Sequence, residues 1–568
     1  MTSGHFTKTP AKTYPLLATL LCSLPVLLCS TLAMSQTTPS PLSSAYTAGP
    51  VSWEHFKMPT DLPQDVFRYF EDVNGDGYTD IVVTAFSPIN APRKGGRPGI
   101  ILLNNGDNTF TPATGDRPHS EWVRELLIED FNGDGIPDIF LADHGWDAPP
   151  FPGYQNQLLL GTGKGFTDAT NLLPKLDDFT HNAAAGDIDG DGRIDILVTN
   201  NALGEVAEQN YFLMNKGSAG FELDRSRLPA SLLGIQAPTT WAVNIKDLDG
   251  DGYPDLLVGR VENTGTLPSR VYWNPGNGDF SKSDVTLLPD MSRFVANGEY
   301  AVIEATTFDV NSDGVPDIQF SAYNRNFRGL GIQFLYNEGR GSRRFTDRTE
   351  SCLSGPTQDT NPERDTPYFF RLHDINRDGY PEVVAIDNRD PSAESTSFFE
   401  NTGNGKLRAV SRTQLSSNPE IVDRLRWASA PLSGENQFGV AEVFVYDSNG
   451  TNTLAMNYVP INYSNLPGVA NRFDLCSNRL TSNVAAGEFG NIELGFNLLQ
   501  MEPTVRIQAI ESTLKPLTVM PEKASTFNSA TGIFRIPELH IEDNVEYRGL
   551  RFLLIDGTNL IFELVGSE

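Results

Sequence analysis

Residues 72–83, DVNGDGYTDIVV, run an oxygen-rich loop straight into a β-strand. Asp72, Asn74, Asp76 and Asp80 place side-chain oxygens at positions 1, 3, 5 and 9, with glycine at position 6. That glycine lets the backbone turn sharply, alternate residues of the turn point inward, and the position-7 carbonyl adds a further oxygen. Hard oxygen donors without Cys or His select Ca²⁺ over zinc or copper. Mg²⁺ suits the site less, because it wants a small octahedral cage and keeps its waters. Position 12 decides what carries the loop. A helix–loop–helix calcium site needs a bidentate Glu there and then a helix. Val83 stands there instead, after Ile81 and Val82, and such a run suits a buried strand. The loop is read as a metal clip inside a sheet.

The stretch recurs as DFNGDGIPDIFL from Asp130, DIDGDGRIDILV from Asp187 and DLDGDGYPDLLV from Asp247. It returns as DVNSDGVPDIQF from Asp309 and DINRDGYPEVVA from Asp374. Six such loops at a period of roughly 60 residues mark an internal repeat. The candidate ligands of the first are Asp72, Asn74, Asp76, the Tyr78 carbonyl and Asp80. The second offers Asp130, Asn132, Asp134, Ile136 and Asp138, and the third Asp187, Asp189, Asp191, Arg193 and Asp195. The fourth offers Asp247, Asp249, Asp251, Tyr253 and Asp255, and the fifth Asp309, Asn311, Asp313, Val315 and Asp317. The sixth has Asp374, Asn376, Asp378, Tyr380 and Glu382. Position 7 contributes its carbonyl in each. Plain Asx-rich turns are the metal-free alternative, but turns alone do not require acids at the same positions six times.

A Gly-rich turn ending in an apolar residue keeps the same beat: NNGDNTF (104–110), GTGKGF (161–166), NKGSAGF (215–221), NPGNGDF (274–280), NEGRGSRRF (337–345) and NTGNGKL (401–407). Each follows a strand-like run, so each repeat holds four strands, which is one blade of a β-propeller. The chain is expected to be all-β, with a seven-bladed β-propeller over residues 51–464 and calcium loops in six blades. The seventh blade falls at 408–460, where FGVAEVFVYDSNGTNTLAMNYV gives two strands around a turn at Asp447–Gly450. VSWEHF, residues 51–56, is expected to complete it and close the ring.

This pattern resembles the FG-GAP/VCBS repeats of integrin-α-like seven-bladed propellers, common in exported bacterial proteins. The resemblance covers residues 51–460 and implies that the matching loop oxygens bind Ca²⁺ and stiffen each blade. Glu382 departs from the pattern as a longer acid at position 9, and Ser312 replaces glycine at position 4 of the fifth loop. A fold of this kind hosts many functions, so the resemblance does not identify a partner.

At 568 residues the chain is too long for one ordinary core. Its 50 Gly and 38 Pro suit many short strands joined by turns. A net charge of −29 argues against a nucleic-acid partner, which wants a basic face. Lys8 and Lys12 precede the apolar run of residues 14–34, and Ala33 to Ser35 offer small residues for cleavage. Residues 1–35 therefore read as a secretory signal peptide and predict export to a periplasm, a cell surface or the medium. An uncleaved anchor is the alternative, weakened by Pro25. No later stretch is apolar enough to span a membrane. Residues 36–50 read as a flexible linker. Cys352 and Cys476 form an even pair in an exported chain, which suits one disulfide or two buried thiols. From 465 to 568 the period is lost. There ATGIFRIPELHI, VEYRGLRFLLI and NLIFELV alternate as strands, giving a small C-terminal β-sandwich-like domain that could be a cap, an anchor or a second binding module.

No zinc-protease, nucleophile-elbow or P-loop motif is present. His144, in ADHGWDAPPFPG (142–153), is either part of a ligand pocket near the central channel or packed in a loop by its Trp and prolines. The same choice holds for His181 and His373. The reading that results is a secreted calcium-binding propeller for recognition or adhesion of a protein or carbohydrate, more a binder than an enzyme. The alternative is an exported lyase or hydrolase acting on polysaccharide, since paired carboxylates could hide among 72 acids. A purely structural envelope protein is a third. A cluster of His, Arg and Tyr at one mouth of the channel favours the enzyme; a bare channel with an exposed aromatic patch favours the binder.

Overall fold

The apolar runs behind the acidic loops become strands buried along their whole length: Asp80–Ala85, Asp138–Asp143, Asp195–Asn200 and Asp255–Val258. A continuous apolar run requires cover on both faces. Each of these strands is second in its sheet, with a neighbouring blade on either side. The computed structural model describes residues 46–463, except 202–208, 234–239, 261–266, 295–299, 311–314, 325–330, 355–368, 374, 376–381, 387–395, 402–405, 428–429 and 435–436, together with separate strands between 473 and 565. The signal peptide expected at 1–35 lies outside the described residues. Among those described, no helix is long and apolar enough to cross a membrane.

Seven sheets follow one another around a ring. Blade 1 consists of Val66–Glu71, Asp80–Ala85, Ile100–Asn104 and Phe110–Pro112, each antiparallel to the next. Blades 2 to 6 repeat this order from Val123–Glu129, Thr180–Gly186, Val243–Lys246, Tyr300–Phe308 and Phe369–His373. The first strands of successive blades lie side by side and form the inner wall. Side chains tie that wall together. Tyr69 Oη donates to the Val123 carbonyl at 2.7 Å, Asn182 Nδ2 to Trp241 at 2.7 Å, and Asn244 Nδ2 to Ala305 at 3.1 Å.

Blade 7 takes strands from both ends of the propeller. Ala430–Gly434, Gln437–Ser448 and Thr451–Tyr463 form three, and Tyr46–Ala48 and Ser52–Pro59 both pair antiparallel with Thr451–Tyr463. The expected closing role of residues 51–56 therefore holds. Tyr46–Ala48, inside the stretch read as linker, is a strand as well. The start of blade 7 is corrected: Leu407–Ser411 is the outer strand of blade 6, and Arg412–Leu415 and Pro419–Trp427 are helices. A capping box starts the first of them, with Ser411 and Gln414 each bonding the other's backbone N–H.

The core is distributed over the blade–blade junctions. Leu257 and Val271 of blade 4 meet Ile318 and Phe320 of blade 5, and the other junctions have the same make-up. The junction that closes the ring is one of them, with Ile81, Val83 and Leu102 packed on Val443, Leu454 and Met456.

Past the propeller, Phe473–Leu475 pairs with Asn478–Leu480. Ile533–Ile536 lies between Ile492–Gly495 and Thr526–Asn528, and Gly549–Ile555 lies between Thr504–Ala509 and Leu560–Val565. Within the three C-terminal runs read as strands, Ile533–Ile536, Gly549–Ile555 and Leu560–Val565 are strands, and the sandwich-like domain expected there is not described. Cys352 is a buried free thiol, and Cys476 lies outside the described residues.

Candidate metal centres

Each acidic loop joins the inner strand of its blade to the buried second strand. The first acid folds the loop around itself. Asp72 Oδ1 accepts the Gly75 N–H at 2.7 Å and Oδ2 the Gly77 N–H at 2.7 Å. Asp130, Asp187 and Asp247 likewise accept backbone N–H groups from positions 4, 5 or 6 of their loops. Gly75 and Gly77 sit at φ +77° and +88°, a region other residues seldom enter, and position 6, that of Gly77, is glycine in all six loops. The position-5 acids accept the N–H of Tyr78, Ile136, Arg193 and Tyr253. In blades 3 and 4, Asp187, Asp189 and Asp195, and Asp247, Asp249 and Asp255, bring one carboxylate oxygen each within 4.8 Å of one another. Asn311 and Asp313 of the fifth loop, and Asp374, Asn376, Asp378 and Tyr380 of the sixth, lie outside the described residues.

Position 9 has a role beyond that of a candidate ligand. Asp80 Oδ2 accepts the Val73 N–H at 3.0 Å, while Oδ1 accepts the Asn104 N–H at 2.7 Å. The first bond closes its own loop and the second holds the Gly-rich turn of the same blade. Asp138, Asp195, Asp255 and Asp317 repeat both bonds. Glu382 bonds the Ile375 N–H at 2.8 Å, and its longer arm also accepts from Tyr46 Oη at 3.3 Å, joining the sixth loop to the closing blade. Burial pushes the carboxyls of Asp80 and Asp255 up to about 8, that of Asp195 to about 7 and that of Asp138 to about 6. The same cause raises Asp72 and Asp247. Buried acids in an all-oxygen donor set fit Ca²⁺, whose charge favours the ionised form and whose coordination uses the second lone pair of each oxygen.

The residue that sequence reasoning missed is the Asn opening the Gly-rich turns. Asn274 Nδ2 donates to the Pro254 carbonyl of its own loop at 2.8 Å and to Ile188 of the preceding blade's loop at 2.8 Å. Asn215 bonds Ile194 and Phe131 in the same way, and Asn337 bonds Pro316 and Leu248. Each acidic loop so latched is held by the next blade. The signal was present, since NNG, NKG, NPG, NEG and NTG open five of the six turns and only the second starts with Gly161. In blade 1, whose predecessor has no acidic loop, Asn104 bonds Asn108, which in turn donates to Tyr458 of blade 7.

His144 is packed in its loop. It is fully buried against Phe179, with Trp122 and His181 at 5.7 and 4.9 Å between ring centres. His181 stacks on Trp241, and the side chain of His373 lies outside the described residues. Asp143 braces this loop, accepting the N–H groups of Glu121, Trp122 and Gly145. Arg124, on the inner strand of blade 2, lies 4.6 Å over Trp122 and 3.4 Å from Asp147. Its charge is felt by His144 and His181, and it in turn feels Asp147, Tyr323 of blade 5 and Tyr69 of blade 1. Burial first, and Arg124 second, hold both imidazoles well below the usual histidine range.

Three stretches, residues 72–141, 130–198 and 247–320, match the FG-GAP-like repeat family. The chain is 27% identical to integrin alpha-V of Gallus gallus over 206 residues, 33% of this chain and 19% of that protein. It is 31% identical to integrin alpha-3 of Mus musculus over 138 residues, 23% of this chain and 12% of that one. It is also 24% identical to the T-cell immunomodulatory protein of Homo sapiens over 257 residues, 43% of this chain and 39% of that protein. The match thus spans well under half the length of each of these relatives.

Proposed function

We propose that this chain, a β-propeller of FG-GAP-like repeats similar in part to integrin alpha chains, is an exported calcium-binding module that recognises a protein partner. The observation that carries the calcium reading is the buried position-9 acid, bonded at once to its own loop and to the Gly-rich turn. Filling the loop with Ca²⁺ ionises that acid in place and so stiffens the turn and the Asn latch to the preceding blade. The candidate ligands are the thirty loop positions named above, with the propeller at 51–464 preceded by a signal peptide and followed by a C-terminal β-domain at 465–568. The likeness to integrin alpha chains and to the T-cell immunomodulatory protein supports recognition or adhesion as the task. A carbohydrate partner is the narrower alternative.

Thermal melts test the calcium reading. A ligand that binds only the folded state raises the melting temperature. A large rise with millimolar Ca²⁺ over EDTA, and a small one with Mg²⁺, is the expected result; no rise with either would make the loops ordinary turns. For recognition, the calcium-loaded chain is expected to retain surface proteins that EDTA releases.

One observation favours an enzyme acting on polysaccharide: His181 and Tyr323 both pack on Trp241, and the charge of Arg124 acts on His181. The depressed imidazoles weigh against it, because a base of low pKa abstracts protons weakly at neutral pH. Release of sugar ends or unsaturated products from acidic polysaccharides would support that reading, and loss of the release in Arg124→Ala would locate it.

A further inference from the structure

The fourth acidic loop carries a cation of the protein's own. Arg343 Nε lies 2.6 Å from Asp249 Oδ2, a carboxylate only 3% exposed, and the same guanidinium is 3.9 Å from Asp251. Arg343 belongs to the Gly-rich turn of blade 5, so it reaches the loop from the neighbouring blade. The turn is built to deliver it. NEGRGSRRF has nine residues where NKGSAGF and NPGNGDF have seven. Arg343 itself is left-handed at φ 53°, a conformation a long side chain adopts only when its surroundings hold it there. Blade 4 does the holding. Thr286 Oγ1 donates to the Arg343 carbonyl at 3.0 Å, the guanidinium lies 5.1 Å over Trp273, and the Gly341 N–H donates to the Asp249 carbonyl at 2.7 Å.

The acid that Arg343 grips stands at a position where only the third and fourth loops carry an acid. Loops 1 and 2 have Asn74 and Asn132 at position 3, and these amides donate across the loop to Asp76 and Asp134 at 2.9 Å. Loops 3 and 4 have Asp189 and Asp249 there, adding a fourth acid. Arg227 stands 3.5 Å from Asp189, so both added acids have an arginine. A fourth carboxylate strengthens the attraction for a divalent cation but raises repulsion when none is bound.

We propose that Arg343 is a built-in counter-ion of the fourth loop, which Ca²⁺ must displace from Asp249. The proposal rests on the calcium reading above. It makes loop 4 a weaker site than its acid count implies. It also makes calcium binding there an exchange, in which the metal takes Asp249 and the turn of blade 5 loses its charged hold on blade 4.

Trp273 shares Arg343 with the loop, so terbium luminescence excited through tryptophan reads this site. In the full chain, Arg343→Gln is expected to tighten Tb³⁺ at the tryptophan-sensitised site, and Ca²⁺ competing for it, by about tenfold, the scale of a hydrogen bond to a charged group. The variant should also melt lower than the parent in EDTA, and the gap should close in calcium. Unchanged affinity, with an equal drop in melting temperature with and without calcium, would overturn the proposal and leave Arg343 a structural contact. Weaker binding in the variant would overturn it too, by making the arginine a support of the site. Should Arg343→Gln fail to fold, Arg343→Lys keeps the charge without the guanidinium fork. A smaller shift in the same direction is then expected, and none would overturn the proposal. If the parent chain binds no calcium by equilibrium dialysis, the calcium reading itself fails, a result distinct from all of these.

Discussion

A buried carboxyl bonded to backbone N–H groups is easily kept protonated when no cation is near. Asp80 and Asp255, pushed up to about 8, and Asp195, at about 7, are such groups in the metal-free chain. Unfolded, an aspartate titrates near ~4. Between those values the folded chain holds more protons than the unfolded one, so its stability falls as pH rises through that window. In EDTA the protein is expected to melt lower at pH 8 than at pH 5.5, and calcium is expected to flatten this slope. Equal slopes with and without calcium would separate these carboxyls from the metal. The acids themselves were legible in the sequence, because oxygen-bearing side chains recur at fixed positions of a tight turn. The double duty of position 9 was not, since the N–H it holds in the Gly-rich turn belongs to a residue some twenty positions on, such as Asn274 for Asp255.

The turns show the same limit at the next scale. Their glycines stood out because left-handed backbone needs them, whereas the Asn in front of them looked like ordinary turn chemistry. Its partner carbonyl is remote in sequence: Asn337 reaches Leu248, on another blade. Asn337→Ala leaves two buried carbonyls, of Leu248 and Pro316, without that donor. The expected loss is about 2–4 kcal/mol in urea denaturation, from an unmet hydrogen-bonding demand at each carbonyl. A loss below about 0.5 kcal/mol, the level of an ordinary surface change, would mean that water takes over the latch. The second strands were legible for a simple reason, that burial on both faces writes an unbroken apolar run. The helices at 412–427 were not, because dividing the chain by the repeat period placed those residues in the seventh blade. The local signal, Ser411 three residues before Gln414, pointed the other way.

As a whole, the molecule holds itself by closure. Every blade has two neighbours, including the last, which borrows its outer strands from Tyr46–Pro59. Removing residues 46–59 would bare the edge of Thr451–Tyr463, a long strand with open hydrogen-bonding groups. The shortened chain is expected to melt lower and to self-associate in light scattering. A monomer of unchanged stability would show that blade 7 stands without them. The ring was readable because a period and a strand count suffice to predict it, while the partner was not, since recognition depends on surfaces that no repeat encodes. Closure also sets an order of birth. Tyr46 faces Tyr463 across one strand pair, so a segment made before any of the first six blades finds its place only when the last blade has been made. Until then one seam of the growing protein stays open, and the apolar faces of Ile81, Val83 and Leu102 wait for Val443, Leu454 and Met456 to cover them.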